Sequence, residues 1–399
     1  MPYYIGDVIK DEKSLVARTP EKFRETGVDV LLGNGVEAID KAQKTVRLAD
    51  GSAVPYDILV LGTGTEAFVP RVPGVGMEGV FVLKALPDAI AMKSYLREKQ
   101  CRKAVIVGAG FIGLEMCEAL RILDIETEVI DLSIRPATRW DPEFSKVMHD
   151  EMMRHAVRFS PNTGLTSIEE GKDRRLRLNT TRGEVEADMI LLAIGVKPNV
   201  QLAADAGLQI GKSGAIQVDF SQRTSDEDVY AVGDCCEVYH RVSRKWTHIP
   251  LGDVANKQGR VAGVNIGGGA AIFPGVVGAQ SFKLFDLGAA ATGIDEAEAK
   301  RSGYHPVSTI IWGNAITHSL PGEKRLGIKL VADRATGMLL GAQAVGVRGA
   351  VERINTLSCA LWAGMRLEDI AVLDFAYAPP FSTAWDPIHI AARDLIKKI

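Results

Sequence analysis

The sequence has 399 residues, with 47 Lys and Arg, 50 Asp and Glu, and a formal net charge of −3. This length exceeds one ordinary domain and predicts two or three. The near-balanced, interleaved charges do not favour nucleic acid or an anionic membrane surface as a partner. Hydrophobic residues at 46% and charged residues at 24% are typical of a soluble globular protein, and no run of about 18 apolar residues predicts a membrane span.

Three patterns follow one another along the chain. Residues 23–64 have the composition of short strands and turns, and they end in a strand at 56–62 that is predicted to be buried. Residues 80–195 predict a helix at 88–98, then a strand–loop–helix–strand unit and further strands. Their alternation, with strands apolar throughout, predicts a parallel sheet covered on both faces. From residue 276 onward, strands at 308–312 and 326–332 and a helix at 354–363 predict a compact α+β unit.

The strongest local motif is the G-x-G-x-x-G segment Gly108-Ala109-Gly110-Phe111-Ile112-Gly113. It follows the predicted strand 104–107 and begins the predicted helix 111–123, and a second strand ends at Asp131. The three glycines allow a tight turn, close approach of a pyrophosphate and close helix–strand packing, respectively. The helix N-terminus attracts phosphates, and an acid about 20 residues onward binds ribose hydroxyls. The segment therefore predicts a dinucleotide site.

Three other apolar strands end in glycine. Val229-Tyr230-Ala231-Val232 runs into Gly233-Asp234, where an acid can accept hydrogen bonds from a cofactor's hydroxyls. The other two strands end at Thr63-Gly64 and Ile194-Gly195. Taken alone, each is typical of an ordinary strand followed by a turn.

Together and in this order, these motifs resemble the pyridine nucleotide–disulfide oxidoreductase superfamily. The C-terminal segment 377–387, with Tyr377, and the segment 249–260, with Leu251 and Ala255, are similar to its coenzyme A-disulfide reductase and NADH oxidase branch. The resemblance implies two Rossmann-like domains, an FAD domain split by an NAD domain, followed by an α+β dimerisation domain. The expected boundaries are 1–78 and 199–271 for the FAD domain, 79–198 for the NAD domain and 272–399 for the dimerisation domain.

The resemblance also implies residue roles. It places Asp234 on the FAD ribitol, with Thr63, Gly64, Gly233, Leu251 and Ala255 around the same cofactor. Gly108, Gly110, Phe111, Ile112, Gly113, Asp131 and Gly195 would bind NAD. Glu115 would lie near the nicotinamide, although a plain surface acid is an equal alternative. Tyr377 would reach the flavin and cysteine of a second subunit, so a homodimer is expected.

One departure concerns the redox cysteine. In the family it precedes a Gly-Leu-Pro-Tyr-Tyr segment, which Met1-Pro2-Tyr3-Tyr4 resembles. We therefore expect Met1 to be an internal methionine, with the FAD domain N-terminally incomplete here and roughly 45 residues upstream carrying the first FAD loop and the cysteine. None of the five cysteines present can be assigned that role. The chain as written is accordingly expected to bind FAD weakly or not at all, and its own activity is open.

The remaining cysteines and histidines favour structural interpretations. Five cysteines, an odd number without a C-x-x-C pair, fit a reducing cytoplasm. Cys117 and Cys359 are predicted in the core, Cys101 is predicted to be exposed, and a Cys235–Cys236 disulfide is disfavoured by ring strain. The seven histidines show no metal-binding spacing, so no metal site is predicted. His389 is predicted on a helix surface.

The implied activity passes a hydride from NADH through FAD to a low-molecular-weight disulfide or persulfide, such as coenzyme A disulfide. NADH is expected over NADPH because Asp131 would repel a 2′-phosphate. Arg135, four residues later, could counteract this by reaching toward a phosphate. Two alternatives stay open: an NADH oxidase using oxygen, and a non-catalytic, nicotinamide-binding dimeric remnant without flavin.

Overall fold

The computed structural model describes residues 1–322 and 324–399. The chain forms two compact units. The first contains Met1–Glu12, Ala67–Gly195 and Val277–Ile399, and the second contains Lys13–Glu66 and Val196–Val276. Each unit is described by itself.

The helices are numbered in chain order. Helices α1 to α11 are Pro2–Ile5, Pro20–Arg24, Leu86–Glu98, Phe111–Ile122, Pro142–Arg154, Gln201–Asp205, Gly252–Ile266, Glu296–Arg301, Ala350–Ala363, Leu367–Ile370 and Pro387–Ile396. Two 3-10 helices are Glu12–Leu15 and Gly233–Cys235. No helix in the described ranges combines the length and apolar character needed to cross a membrane.

The strands are numbered in the same way. Strands β1 to β11 are Val36–Asp40, Thr45–Leu48, Ala53–Pro55, Leu59–Leu61, Thr65–Ala67, Val80–Phe81, Lys103–Val107, Glu126–Ile130, Val157–Ser160, Leu165–Glu170 and Leu176–Thr180. Strands β12 to β22 are Gly183–Ala187, Met189–Leu192, Val196–Pro198, Val229–Ala231, Val238–His240, Lys245–Thr247, Gln280–Leu284, Leu287–Gly293, Pro306–Asn314, Arg325–Asp333 and Leu339–Gly346.

The first unit contains a parallel five-stranded sheet in the order β6-β13-β7-β8-β9. Its central strands are buried almost throughout, as in a sheet covered on both faces. Val105 and Ile130 pack against Ile168 and Leu178 of the antiparallel sheet β10-β11-β12. The predicted parallel sheet is confirmed, and the predicted helices 88–98 and 111–123 match α3 and α4 to within two residues.

The C-terminal part of the first unit is an antiparallel sheet in the order β18-β19-β22-β21-β20. Helix α9 packs on β19 and β22, and α11 packs on β20 and β21. The predicted α+β arrangement is confirmed, although β20 and β21 are longer than the predicted strands. The register explains the extra length, because β20 pairs with β21 along nine residues, from Pro306↔Asp333 to Asn314↔Arg325.

An irregular segment, residues 371–386, connects α10 to α11. A buried ion pair holds its end: Arg353 Nη2 lies 2.8 Å from Asp386 Oδ2. Asp386 also caps α11 by accepting a hydrogen bond from the Ile388 N–H at 2.9 Å. Tyr377 and Phe381 remain exposed on this segment, which fits a contact surface.

The second unit contains the antiparallel sheet β1-β2-β3, the hairpin β16-β17 and the parallel pair β4-β15. The pair aligns Leu59 with Val229 and Leu61 with Ala231. Its core includes Leu61, Ile216, Val229 and Cys235. The predicted strand 56–62 is confirmed only over β4, and its predicted burial is wrong, because Ile58 and Val60 are 39% and 43% exposed.

Three predictions about side-chain burial are wrong. Cys101 is buried because it follows α3 and its N–H bonds back to the Leu96 carbonyl. Cys359 is exposed because it lies on the outer face of α9. His389 is buried because its ring stacks on Phe375, with centroids 4.5 Å apart.

Candidate cofactor sites

The first candidate site lies at the carboxyl ends of three neighbouring parallel strands. Gly108 follows β7, Asp131 follows β8 and Gly195 lies three residues after β13, which pairs with β7. Ligands of open α/β sheets bind outside these strand ends. Geometry therefore brings these predicted NAD residues together.

The loop glycines have distinct steric reasons. Gly108 has φ +111°, and a Cβ there would collide with the Ala193 carbonyl. A Cβ on Gly113 would collide with the Gly108 carbonyl oxygen, so this glycine allows α4 to pack closely on the loop. A Cβ on Gly110 would meet nothing within 4 Å. Gly110 therefore leaves open space, as the approach of a pyrophosphate requires.

Asp131 is fixed by the loop that it faces. Its Oδ2 accepts a hydrogen bond from the Ala109 N–H at 2.7 Å, and its Oδ1 accepts one from the Ser133 N–H at 2.6 Å. The carboxylate is thus held beside the glycine loop without a cationic partner in these bonds. Arg135 donates instead to the carbonyls of Trp140 and Thr138, so its guanidinium is tied to its own loop.

Phe111 and Ile112 begin α4, where free N–H groups and the helix dipole favour a phosphate. The ring of Phe111 is turned into an aromatic cluster with Trp140 and Phe282, at centroid distances of 5.4 and 5.1 Å. Only the backbone of Phe111 is therefore placed to meet a ligand, and its side chain anchors the helix.

Glu115 lies one turn into α4, beside a small cavity lined by residues of α1, α4 and β18. Tyr3, Glu118 and Lys283 line the same cavity. Burial raises the pKa of Glu115 above its ordinary value, and repulsion from Glu118 adds to this, while the N-terminal amino group opposes it. Burial thus favours the protonated form of this carboxyl more than water does.

The second candidate site lies in the second unit, at the carboxyl ends of β4 and β15. The Val232 N–H bonds to the Leu61 carbonyl at 2.9 Å, which joins the two strand ends that lead to Thr63-Gly64 and Gly233-Asp234. Thr65 Oγ1 donates to Asp234 Oδ2 at 3.3 Å. Gly233 has φ +77°, and a Cβ on it would lie 3.3 Å from that of Ala255 near the start of α7.

Two residues of this site carried no separate signal in the sequence. Gln258 accepts a hydrogen bond from the Gly233 N–H at 2.9 Å and donates to the Glu237 carbonyl at 3.2 Å. Asn199 donates to the Thr63 carbonyl at 2.9 Å, while Thr63 Oγ1 donates to the Asn199 carbonyl at 2.7 Å. A polar side chain that stabilises a loop cannot be identified from the sequence alone, because its hydrogen-bond partners are distant along the chain.

The cysteines are all free thiols. Burial raises the pKa of Cys101 to about 11 and raises that of Cys117 as well. Cys235 and Cys236 lie in the core of the second unit as free thiols. No described cysteine is thus an exposed, activated thiol beside the first site.

The two candidate sites contain residues that suit a nicotinamide dinucleotide and FAD, respectively. The β7–α4–β8 loop has the open glycine, helix N-terminus and acid that a nicotinamide dinucleotide requires. In the second unit, Asp234 and the start of α7 fit the flavin-bearing half of FAD, because an acid and a helix N-terminus suit its hydroxyls and polar ring edge. Tyr377 does not line the cavity beside Glu115.

Comparison with known proteins identifies the family. A model described as pyridine nucleotide-disulphide oxidoreductase matches residues 3–259, and its dimerisation domain matches residues 279–387. An NAD(P)H sulfur oxidoreductase (CoA-dependent) of Pyrococcus abyssi is 37% identical over 99% of this chain and 88% of the relative. An NADH oxidase of Methanocaldococcus jannaschii is 33% identical over 100% of this chain and 90% of its own length.

A solved structure agrees with these matches. The NAD-dependent persulfide reductase of A. fulgidus is 38% identical, with a TM-score of 0.95 over 100% of this chain and 75% of that one. The predicted family, its Rossmann-like domains and its C-terminal dimerisation domain are confirmed. The chain belongs to the pyridine nucleotide–disulphide oxidoreductase family, whose enzymes use FAD and a nicotinamide cofactor.

Proposed function

We propose that the protein passes reducing equivalents from NADH, through FAD, to a low-molecular-weight disulfide or persulfide such as coenzyme A disulfide. The observation that carries the proposal is the complete β7–α4–β8 site, with Asp131 fixed beside the glycine loop. The sulfur reductases of P. abyssi and A. fulgidus, at 37% and 38% identity, support sulfur as the acceptor. We further propose the domain boundaries expected from the sequence.

The residues of this chain would bind and orient the two cofactors. The N–H groups at the start of α4 would bind the pyrophosphate, and Asp131 would accept hydrogen bonds from the adenosine ribose. Asp234 would bind the ribitol of FAD, which supplies the hydride-accepting chemistry when bound. Glu115, whose pKa is raised by burial, would lie near the nicotinamide.

The structure's hydrogen bonds favour NADH over NADPH. A 2′-phosphate next to Asp131 would meet a carboxylate, and Arg135 is engaged with the carbonyls of Trp140 and Thr138. The expected discrimination is about 2–4 kcal/mol, or roughly 30- to 1000-fold. The engagement of Arg135 with these carbonyls supports the proposed preference, because its guanidinium is already bonded within its own loop.

We propose that the enzyme works as a homodimer. The matched dimerisation domain and the exposed Tyr377, Phe381 and Trp385 support this arrangement. Tyr377, with 54% of its surface exposed, would reach the partner's site and donate a hydrogen bond to the leaving thiolate. Light scattering at micromolar concentration should give twice the chain mass, and a monomer would contradict the proposal.

Sulfur reduction also requires a nucleophilic thiol, because the thiolate attacks the disulfide. The raised pKa values of Cys101 and Cys117 and the core positions of Cys235 and Cys236 make these four unsuitable. Cys359 is exposed on α9, outside the cavity beside Glu115. The proposal therefore requires a thiol that these five cysteines do not provide.

Oxygen is the second candidate acceptor. The 33% identity to the M. jannaschii NADH oxidase favours it, and this function would use the same NADH and FAD residues. The two candidates differ in product, since sulfur reduction releases thiol or sulfide whereas oxygen reduction releases peroxide or water.

The deciding experiment compares acceptors in flavin-replete enzyme under argon and in air. NADH consumption would be measured with coenzyme A disulfide, coenzyme A persulfide and oxygen, alongside thiol and sulfide release. One thiol-releasing turnover per NADH under argon supports the proposal. Consumption in air alone would establish the oxidase.

Tyr377→Phe should slow thiol release while leaving NADH binding unchanged, and unaltered turnover would remove Tyr377 from the mechanism.

A further inference from the structure

A cluster of one imidazole and two carboxylates in the first unit shares no residue with either candidate cofactor site. Glu151 is on the last turn of α5 and His155 follows four residues later, so both project from one helix face. Asp286 occupies the two-residue turn between β18 and β19. One ligand atom from each residue lies within 4.8 Å of the other two.

The surroundings fix these groups in place. Glu151 is almost fully buried, and its Oε1 accepts a hydrogen bond from the Asp286 N–H at 3.0 Å. The His155 ring stacks on Phe285, with centroids 4.0 Å apart and planes 6° from parallel. Arg154 Nη1 lies 2.8 Å from the other Glu151 oxygen, so one cation partly balances the two acids.

His155 Nε2 is the feature that points to a ligand. The atom is buried and makes no hydrogen bond to any described residue. Glu151 Oε1 lies 3.3 Å from it and Asp286 Oδ2 lies 3.8 Å from it. Two carboxylate oxygens beside one imidazole nitrogen attract positive charge, and a metal ion bound by all three groups would supply it.

We propose that Glu151, His155 and Asp286 bind a divalent transition metal ion of the Zn²⁺ type. Metal–nitrogen and metal–oxygen bonds of 2.0–2.2 Å in tetrahedral geometry place ligand atoms about 3.4 Å apart. The two measured separations from Nε2, 3.3 and 3.8 Å, are close to this value. One nitrogen and two carboxylate oxygens suit Zn²⁺, Co²⁺ or Ni²⁺ better than Ca²⁺ or Mg²⁺.

The bound ion would tie the end of α5 to the β18–β19 turn. Those elements belong to the parallel-sheet part and the antiparallel-sheet part of the first unit, so the ion would cross-link the two parts. Three protein ligands leave a fourth position for water on the exposed side of Asp286. The role is structural stabilisation by metal binding, and it does not depend on the proposed acceptor.

The test titrates the EDTA-treated, dialysed full chain with Zn²⁺ by calorimetry and with Co²⁺ by visible absorbance. One Zn²⁺ per chain and the intense absorbance of four-coordinate Co²⁺ are expected. His155→Ala should weaken binding at least about 100-fold and Asp286→Asn at least about 10-fold, since even indirect partners of a metal ligand contribute 10- to 100-fold. Zn²⁺ should raise the melting temperature of the unmodified chain but not of His155→Ala.

Matched controls separate this site from adventitious binding. His149→Ala removes another α5 histidine, and Cys359→Ser removes the exposed thiol; both should bind Zn²⁺ normally. If His155→Ala does not fold, Asp286→Asn decides alone, because Asp286 is exposed in a turn. Absence of binding, unchanged affinity in the ligand variants, or NMR signals of the His155 ring that do not shift when Zn²⁺ is added would each overturn the proposal.

Discussion

The two candidate cofactor sites are built on sheets of very different completeness. The nicotinamide loop follows β7, the middle strand of a five-stranded parallel sheet whose central residues are buried. The candidate flavin loop follows β15, which forms a two-stranded sheet with β4 and a single antiparallel bridge from Tyr230 to Arg223, and Val60 of β4 is 43% exposed. Both loops have glycine and an acid at a strand end. The same loop residues therefore occur on a large and on a small sheet. We expect the loop on the larger sheet to be held more rigidly.

The largest expected difference is in cofactor retention by the 399-residue chain. A two-stranded sheet falls below the three strands usually needed for stability, and Leu31 and Leu32 in the same unit are 65% and 71% exposed. We expect saturable NADH binding but less than one FAD per chain after gel filtration. The measurement is visible flavin absorbance beside NADH fluorescence titration. Stoichiometric, retained FAD would show that the β4–β15 pair suffices.

The next effect sharpens the nicotinamide side of the comparison. Asp131→Ala removes the carboxylate that would repel a 2′-phosphate. It also removes the hydrogen bonds that this carboxylate accepts from the Ala109 and Ser133 N–H groups. The difference in binding free energy that favours NADH over NADPH should fall by about 2 kcal/mol or more. Titrations of both cofactors would measure it. Equal affinities in the unmodified chain would sink the assigned role of Asp131.

Alanine substitutions at two glycines of the same loop should affect different properties, namely stability and NADH affinity. Gly113→Ala would collide with the Gly108 carbonyl and should cost about 1–3 kcal/mol of unfolding free energy. Gly110→Ala meets no protein atom within 4 Å, so stability should hold while NADH affinity falls. Urea unfolding and NADH titration of both variants distinguish the effects. Loss of stability in Gly110→Ala would contradict the steric account.

On the flavin side, Gln258→Leu should destabilise the second unit. It leaves the Gly233 N–H and the Glu237 carbonyl without their partner, at about 1–3 kcal/mol for each group. Gln217→Leu, on the same unit, is a control for changing glutamine to leucine. Urea unfolding followed by Trp246 fluorescence reports this unit. An unchanged midpoint in Gln258→Leu would mean that the Gly233 loop is not braced by this side chain.

The smallest effect is the pH dependence linked to Glu115. Its folded-state pKa is raised, so the folded chain binds this proton more tightly than the unfolded chain. Stability should therefore be lost as pH rises from the ordinary glutamate pKa through the raised value. Glu115→Gln should flatten that segment of the pH profile and slightly stabilise the chain at neutral pH. Parallel profiles for the two proteins would contradict the raised pKa.

The sequence determined the family, the position of the glycine loop between a strand and a helix, and the element types of residues 80–195 and of the C-terminal region, because these depend on local periodicity and glycine placement. Spacing alone was insufficient: Gly74 to Gly79 also fit G-x-G-x-x-G but form turns before β6. A strand before and a helix after distinguish Gly108 to Gly113 from that segment. The order of these elements therefore carried more information than the motif.

Tertiary structure decided what depends on distant partners. The burial of His389, the exposure of Cys359 and the tethering of Arg135 to Trp140 follow from packing that a single stretch of sequence does not encode. The same holds for Glu151, His155 and Asp286, since Asp286 is 135 residues from Glu151. Periodicity reports which face of an element is apolar, whereas side-chain chemistry at a site depends on which other element covers that face.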